Sequence, residues 1–259
     1  MPVRIFRKRS DRSDGVVSGF EPGDRPIRGS RIVDKLQTDQ MMVRDLRRRW
    51  KPTKERLNGE RDNHPTAIRI HRAFSWMARV EDSEEGADLD VALICRWIAF
   101  NALYGQWDEE KREPARERAS WRQFLTRVLA LDEAGHLGDA LMDHKPLVMS
   151  ILDDEYLSRF FWEEPTDDRA RKSKKVKFDA RTWYLDHRWT MVLDRLVERI
   201  YLMRCQLIHG AATHGGKLNR RSLKRCSIML GHLLRSMMLV LTENGADADW
   251  GAMCYPPLR

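Results

Sequence analysis

Apolar residues recur along most of this chain with the 3.6-residue period of a helix and almost never alternate. Residues 66–80 carry Ile68, Ile70, Phe74, Met77 and Val80 on one stripe. Residues 87–107 carry Leu89, Leu93, Trp97, Phe100 and Tyr104, with Asp88 or Asp90 in the first turn, where an acidic group favours a helix start. Residues 114–131 repeat the pattern with Trp121, Phe124, Leu125, Val128 and Leu129. Shorter helical pieces follow over 137–161. A long helix over 187–209 carries Trp189, Val192, Leu193, Leu196, Ile200, Met203 and Leu207. Gly215 and Gly216 then interrupt the chain, and Asn219 opens a last helix that Asn244-Gly245 stops. Residues 163–180 have no apolar period and read as a long basic loop. The fold class expected is all-α: an up-and-down helical bundle of four to five long helices with an N-terminal basic arm.

The pattern changes at about Pro65. Residues 1–30 have few large apolar side chains and read as a flexible basic arm. Residues 31–50 form one imperfect amphipathic helix ending in Arg47, Arg48 and Arg49, and residues 51–65 have turn chemistry and read as a linker. The expected division is therefore residues 1–65 as an accessory arm and residues 66–259 as the helical domain. The arm would bind RNA, a partner chain or a neighbouring subunit.

Composition narrows the function classes. The 259 residues carry a formal net charge of +8, which suits an anionic partner, although both signs of charge are abundant. Cys95, Cys205, Cys226 and Cys254 form no CxxC pair and lie in or beside apolar runs, as expected of reduced thiols in a cytoplasmic protein. The N-terminus has no apolar core of a secretory signal. The longest apolar stretch, 226–241, is broken by His232 and Arg235 and is too short to span a bilayer, so no membrane partner is expected. There is no Gly-rich P-loop, no HExxH and no GxSxG.

The candidate chemistry lies near the end of the 187–209 helix, where Arg204 and His209 interrupt an otherwise apolar run and Gly210 follows. Arginine is permanently charged and its fork fits phosphate oxygens. Histidine exchanges a proton near neutral pH. That pair is the minimum equipment for cleaving a phosphodiester without a metal. The competing reading has Arg204 reaching solvent and His209 capping the last helical carbonyls.

Three segments resemble the HEPN superfamily in its Apea-like branch. The Arg204-Cys205-Gln206-Leu207-Ile208-His209-Gly210 run resembles the family's Arg-x4-6-His signature. The Trp97-Ile98-Ala99-Phe100-Asn101-Ala102-Leu103-Tyr104-Gly105 segment resembles its second helix, and Asn219-Arg220-Arg221-Ser222-Leu223 resembles the element after its catalytic turn. The resemblance covers residues 66–242. It implies an all-α bundle that dimerises, and a metal-independent endoribonuclease of toxin, antiviral or RNA-processing systems, with no cofactor. Its alternative is a catalytically silent scaffold that binds a partner protein, such as an antitoxin, or a nucleotide. The family usually has Asn, Asp or His directly after the arginine, where this chain has Cys205.

Five residues along a helix rise about 7.5 Å and turn about 140°, so one copy would not aim Arg204 and His209 at the same atom. Two copies around a twofold axis would gather both arginines and both histidines around one phosphate. Other residues join the candidate set as RNA-binding groups. His214, in the 213–216 turn, either touches substrate or is a solvated loop histidine, Asn101 is either at the dimer site or a satisfied core amide, and Arg171, Lys172, Lys174 and Lys175 either hold an RNA backbone or are solvated. Cys205, His209, His214 and Cys226 match no common zinc spacing, so no metal is expected.

Overall fold

A computed structural model describes residues 41–83, 88–217 and 219–257, and these form an all-α bundle. The helices are α1 (Val43–Glu60), α2 (Pro65–Glu81), α3 (Leu89–Tyr104), α4 (Glu117–Leu131), α5 (His136–Asp143), α6 (Lys145–Leu152), α7 (Arg159–Glu163), α8 (Asp167–Ser173), α9 (Lys175–Leu185), α10 (Trp189–Ile208) and α11 (Arg220–Glu243). A 3-10 turn, Glu155–Leu157, precedes α7. A two-residue hairpin pairs β1 (Trp107–Asp108) with β2 (Glu113–Pro114), and Gln106 bridges to Met253 in the C-terminal tail.

The bundle is built around α11, which packs against α1, α3, α4, α5, α6 and α10. Contact on many sides is why its apolar residues run almost around the helix, including Leu230, Leu233, Leu234, Met237 and Met238. This helix is long and apolar enough to cross a membrane, but most of it is buried inside the bundle. At Gly231 an added Cβ would meet Arg96 Nε at 3.1 Å, so the glycine lets Arg96 pass between α3 and α11, where its guanidinium donates to Ser227 Oγ. Trp97, Phe100 and Tyr104 are core residues in edge-to-face contact, as their helical spacing predicted.

Two segments differ from the expectation. Residues 51–60 are not linker but the second half of α1, and residues 41–60 belong to the core rather than to an accessory arm. Pro52 removes one helical hydrogen bond, yet Leu46, Trp50 and Leu57 all bury on one side and offset that loss. The start of α1 is tied to the body by polar contacts that a sequence pattern does not display. Val43 N–H donates to Glu81 Oε2 at 2.9 Å, and Arg235 Nε donates to the Met41 carbonyl at 2.9 Å. The expected arm over residues 1–40 lies outside the described residues.

Residues 163–180, expected as a basic loop, hold the end of α7, α8 and the first half of α9. Thr166 caps α8 by accepting from Arg169 N–H, and Asp167 and Asp168 occupy its first turn. Too few of these residues are buried to show a period: Ser173 in α8, Ala180 and Tyr184 in α9. Their anchors come from distant parts of the chain. Buried Arg199 donates to the carbonyls of Asp154 at 2.7 Å and Ser173 at 3.0 Å, and Tyr184 donates to the Leu141 carbonyl at 2.9 Å.

Candidate active site

The turn after α10 is set by its own backbone. His209 is the C-cap and Gly210 adopts a left-handed conformation at φ +70°. Gly210 N–H donates to the Leu207 carbonyl at 3.2 Å, and Ala211 N–H donates to the Gln206 carbonyl at 2.9 Å. These two bonds make a Schellman motif, which stops the helix and leaves the His209 side chain exposed at a fixed position. His209 N–H stays within the helix, donating to the Cys205 carbonyl at 2.9 Å.

Arg204 is one turn earlier and its surroundings are built. Its side chain is 22% exposed, with Nη1 3.8 Å from Glu117 Oε2, and its guanidinium lies 5.9 Å from the ring centroids of both Trp97 and Tyr201. Glu117, in the first turn of α4, accepts from Trp97 Nε1 and from Tyr104 Oη through Oε1, each at 3.0 Å. Burial and the Glu117 charge together push the Tyr104 hydroxyl far up, so it stays a neutral donor. The Cys205 thiol lies 4.0 Å from Arg204 Nη1. Its hydrogen bond with the Tyr201 hydroxyl, followed by burial, pushes that hydroxyl up to about 12. Arg204 therefore does not simply reach solvent.

Arg204 opens onto a groove of about 630 Å³ whose walls come from α2, α3, α4 and the C-terminal tail. Asn101 is exposed on its wall, so it is not a buried core amide. Arg72 lines the same groove and holds the tail by donating to the carbonyls of Cys254 at 3.2 Å and Tyr255 at 2.6 Å. Arg69, 2% exposed, donates to carbonyls that include Gly105 at 2.5 Å and Gly251 at 3.1 Å. Its buried Nε has no hydrogen-bond partner among the described residues. Burial lowers the Arg69 guanidinium to about 10, so it stays charged at neutral pH.

The structure thus brings Arg204 and Asn101 together and leaves the other expected residues elsewhere. His209 does not line the groove. His214 is exposed and bonds Asp88, the N-cap of α3. Beside it, Asp90 accepts from Gly215 N–H at 3.0 Å and from Arg220 at 2.6 Å, so the 210–217 loop is clamped to the start of α3. Arg171 and Lys172 pair with Asp168, at 3.8 and 2.6 Å, and Lys174 lies 3.5 Å from Glu155. Lys175 is exposed at the start of α9. The sequence reading missed Glu117, Arg72 and Arg69. Trp97 and Tyr104 carried a signal for the first: both rings have a polar tip, lie on one helix face and need a buried acceptor.

Two consequences can be measured. Glu117→Ala strands the Trp97 and Tyr104 donors, and is expected to cost about 2–4 kcal/mol in chemical denaturation. Glu117→Gln, which keeps an acceptor, should cost less; equal stability of Glu117→Ala and wild type would refute this role. The Asp88 bond raises the His214 pKa above 6.5 and lowers that of Asp88. The His214 contribution is fully present below its unfolded pKa and is lost as pH rises through its raised folded value. The Asp88 contribution is lost as pH falls through its depressed one. An imidazole NMR titration should place the His214 midpoint above 6.5, and Asp88→Asn should bring it back down. A midpoint unmoved by Asp88→Asn would break the assignment.

Comparison of the chain with family models, curated proteins and solved structures finds no match.

Proposed function

We propose that the protein is a metal-independent endoribonuclease of the HEPN type that acts as a homodimer. The observation that carries this reading is the end of α10. It holds an anchored, half-buried arginine on an arginine-lined groove and, one turn on, an exposed histidine at a rigid helix stop. In this reaction His209 takes the ribose 2′-OH proton, O2′ bonds to phosphorus, and the P–O5′ bond breaks as a proton from water reaches O5′. Arg204 stabilises the charge that builds on the phosphate oxygens. The products are a 2′,3′-cyclic phosphate and a 5′-OH, and DNA, which lacks the 2′-OH, resists.

His209 does not line the groove onto which Arg204 opens, and in this reading a second copy brings an arginine and a histidine to one phosphate. Gln206 on α10 donates to the Tyr156 carbonyl at 2.7 Å, so the exposed rings of Tyr156 and Trp162 are tied to the helix that carries Arg204, and in this reading unpaired bases stack on them. A second reading, a catalytically silent scaffold that binds a partner protein or a nucleotide, is favoured by one observation: Glu117 already partners Arg204. Incubation of the purified protein with total RNA in EDTA, beside the His209→Ala variant, separates the two. Cleavage that ends in cyclic phosphate and disappears in the variant supports the enzyme. Intact RNA in both samples supports the scaffold.

A further inference from the structure

Far along the chain from Arg204, α1 and α2 enclose an open groove of about 710 Å³. Arg44, Arg47, Arg48, Lys51 and Lys54 line it, and among the described residues Glu55 is the one carboxylate on its walls. We propose that this groove is a second RNA site, which holds the phosphate backbone of a single strand by charge.

Among the described residues the charge is only weakly offset. Asp45 lies 3.7 Å from Arg44 and 3.9 Å from Arg48, and Glu55 lies 3.8 Å from Lys51. These are long contacts to exposed cations and hold them weakly. Arg44/Arg48 and Arg47/Lys51 are like-charged pairs one helical turn apart, an arrangement that disfavours a free helix and is relieved by a bound anion. Arg47 is the fixed member: its guanidinium lies 5.9 Å from the Phe74 ring centroid and donates to the Phe74 carbonyl at 3.4 Å. The cations from Arg44 to Lys54 run about 15 Å along the helix axis, enough for several consecutive phosphates.

The groove fits a nucleic-acid backbone better than other anionic surfaces. A membrane-bound helix needs an apolar face to insert, but Val43, Leu46, Trp50 and Leu57 of α1 are buried in the core. A protein partner needs a pocket for apolar anchors, and the groove's apolar residues, Trp50 and Phe74, are only 3% and 2% exposed. Phosphate contacts need neither. The choice of RNA rests on the proposed ribonuclease activity. The test therefore measures binding alone, on the Arg204→Ala/His209→Ala double variant, so that cleavage plays no part in its outcome.

The probe is a fluorescently labelled, unstructured RNA of about 20 nucleotides, followed by anisotropy at several salt concentrations. Adding Arg44→Gln, Arg48→Gln, Lys51→Gln and Lys54→Gln together should weaken binding at least ~10-fold in low salt and reduce the log–log salt slope by roughly 2–3. The melting temperature should hold, since all four side chains are exposed. Lys51→Gln and Lys54→Gln alone should each reduce the slope by about 0.7, which keeps the test decisive if the fourfold variant is unstable. Unchanged affinity and slope in the single and fourfold variants would overturn the inference. So would poly-glutamate, or vesicles of phosphatidylserine and phosphatidylcholine, that bind the groove more tightly than the RNA does at equal charge. Groove-dependent binding without any cleavage by the wild type would sink the ribonuclease reading and leave this site standing.

Discussion

Arg204→Ala and His209→Ala are each expected to lower RNA cleavage by about 100- to 10,000-fold, the range for losing a general base or the charge that stabilises a phosphoryl transition state. Their structural consequences should differ. His209 is exposed at the helix C-cap, so its loss should leave stability within about 0.5 kcal/mol of wild type. Arg204 packs on Trp97 and Tyr201 beside Glu117, so its removal also costs contacts and should show a modest loss of stability. Arg204→Lys keeps the charge but not the fork and should recover only part of the rate. Cleavage measured on a defined RNA, beside a denaturation curve for each variant, separates chemistry from folding. Both alanine variants retaining the wild-type rate would end the catalytic reading. A folded Arg204→Ala protein that still cleaves while His209→Ala does not would move the arginine to a structural role.

Mixing the two inactive variants is expected to restore cleavage. If the arginine and histidine at each phosphate come from different copies, an Arg204→Ala chain paired with a His209→Ala chain still has one intact arginine and one intact histidine facing each other. Random pairing of equal amounts makes about half of the dimers mixed, so the mixture should regain roughly a quarter of the wild-type rate. The reason is the placement of the side chains in one copy: Arg204 turns toward Glu117 and the groove, whereas His209 leaves the helix end beyond it. A mixture as inactive as its components, with subunit exchange verified by light scattering on tagged chains, would show that the two groups do not act across a dimer. A wild type that is monomeric at micromolar concentration and equally active on dilution would remove the dimer altogether.

How much of this protein can be read from its sequence depends on where the information lies. The long helices were legible because each buries an apolar stripe, and burial repeats every turn: Leu93, Trp97, Phe100 and Tyr104 declare α3 before any neighbour is known. The stop after His209 was legible for the same local reason, since Gly210 takes a left-handed conformation that other residues adopt at a cost. The helices α8 and α9 were not, because Ser173, Ala180 and Tyr184 are too few to make a period and are held by Arg199 and the Leu141 carbonyl from other elements. The second half of α1 was hidden by Pro52 and a run of charges, although its buried side is continuous. In the candidate site, the sequence by itself determined that Arg204 and His209 stand at the end of an apolar helix before an obligatory turn. Only the tertiary structure decided what each of them meets. Glu117 comes from another helix to face Arg204, Arg69 and Arg72 arrive from α2, and the C-terminal tail closes the groove. Local periodicity determines which side of a helix is buried, but the partner across the interface depends on how the chain returns, and no spacing within one helix contains that.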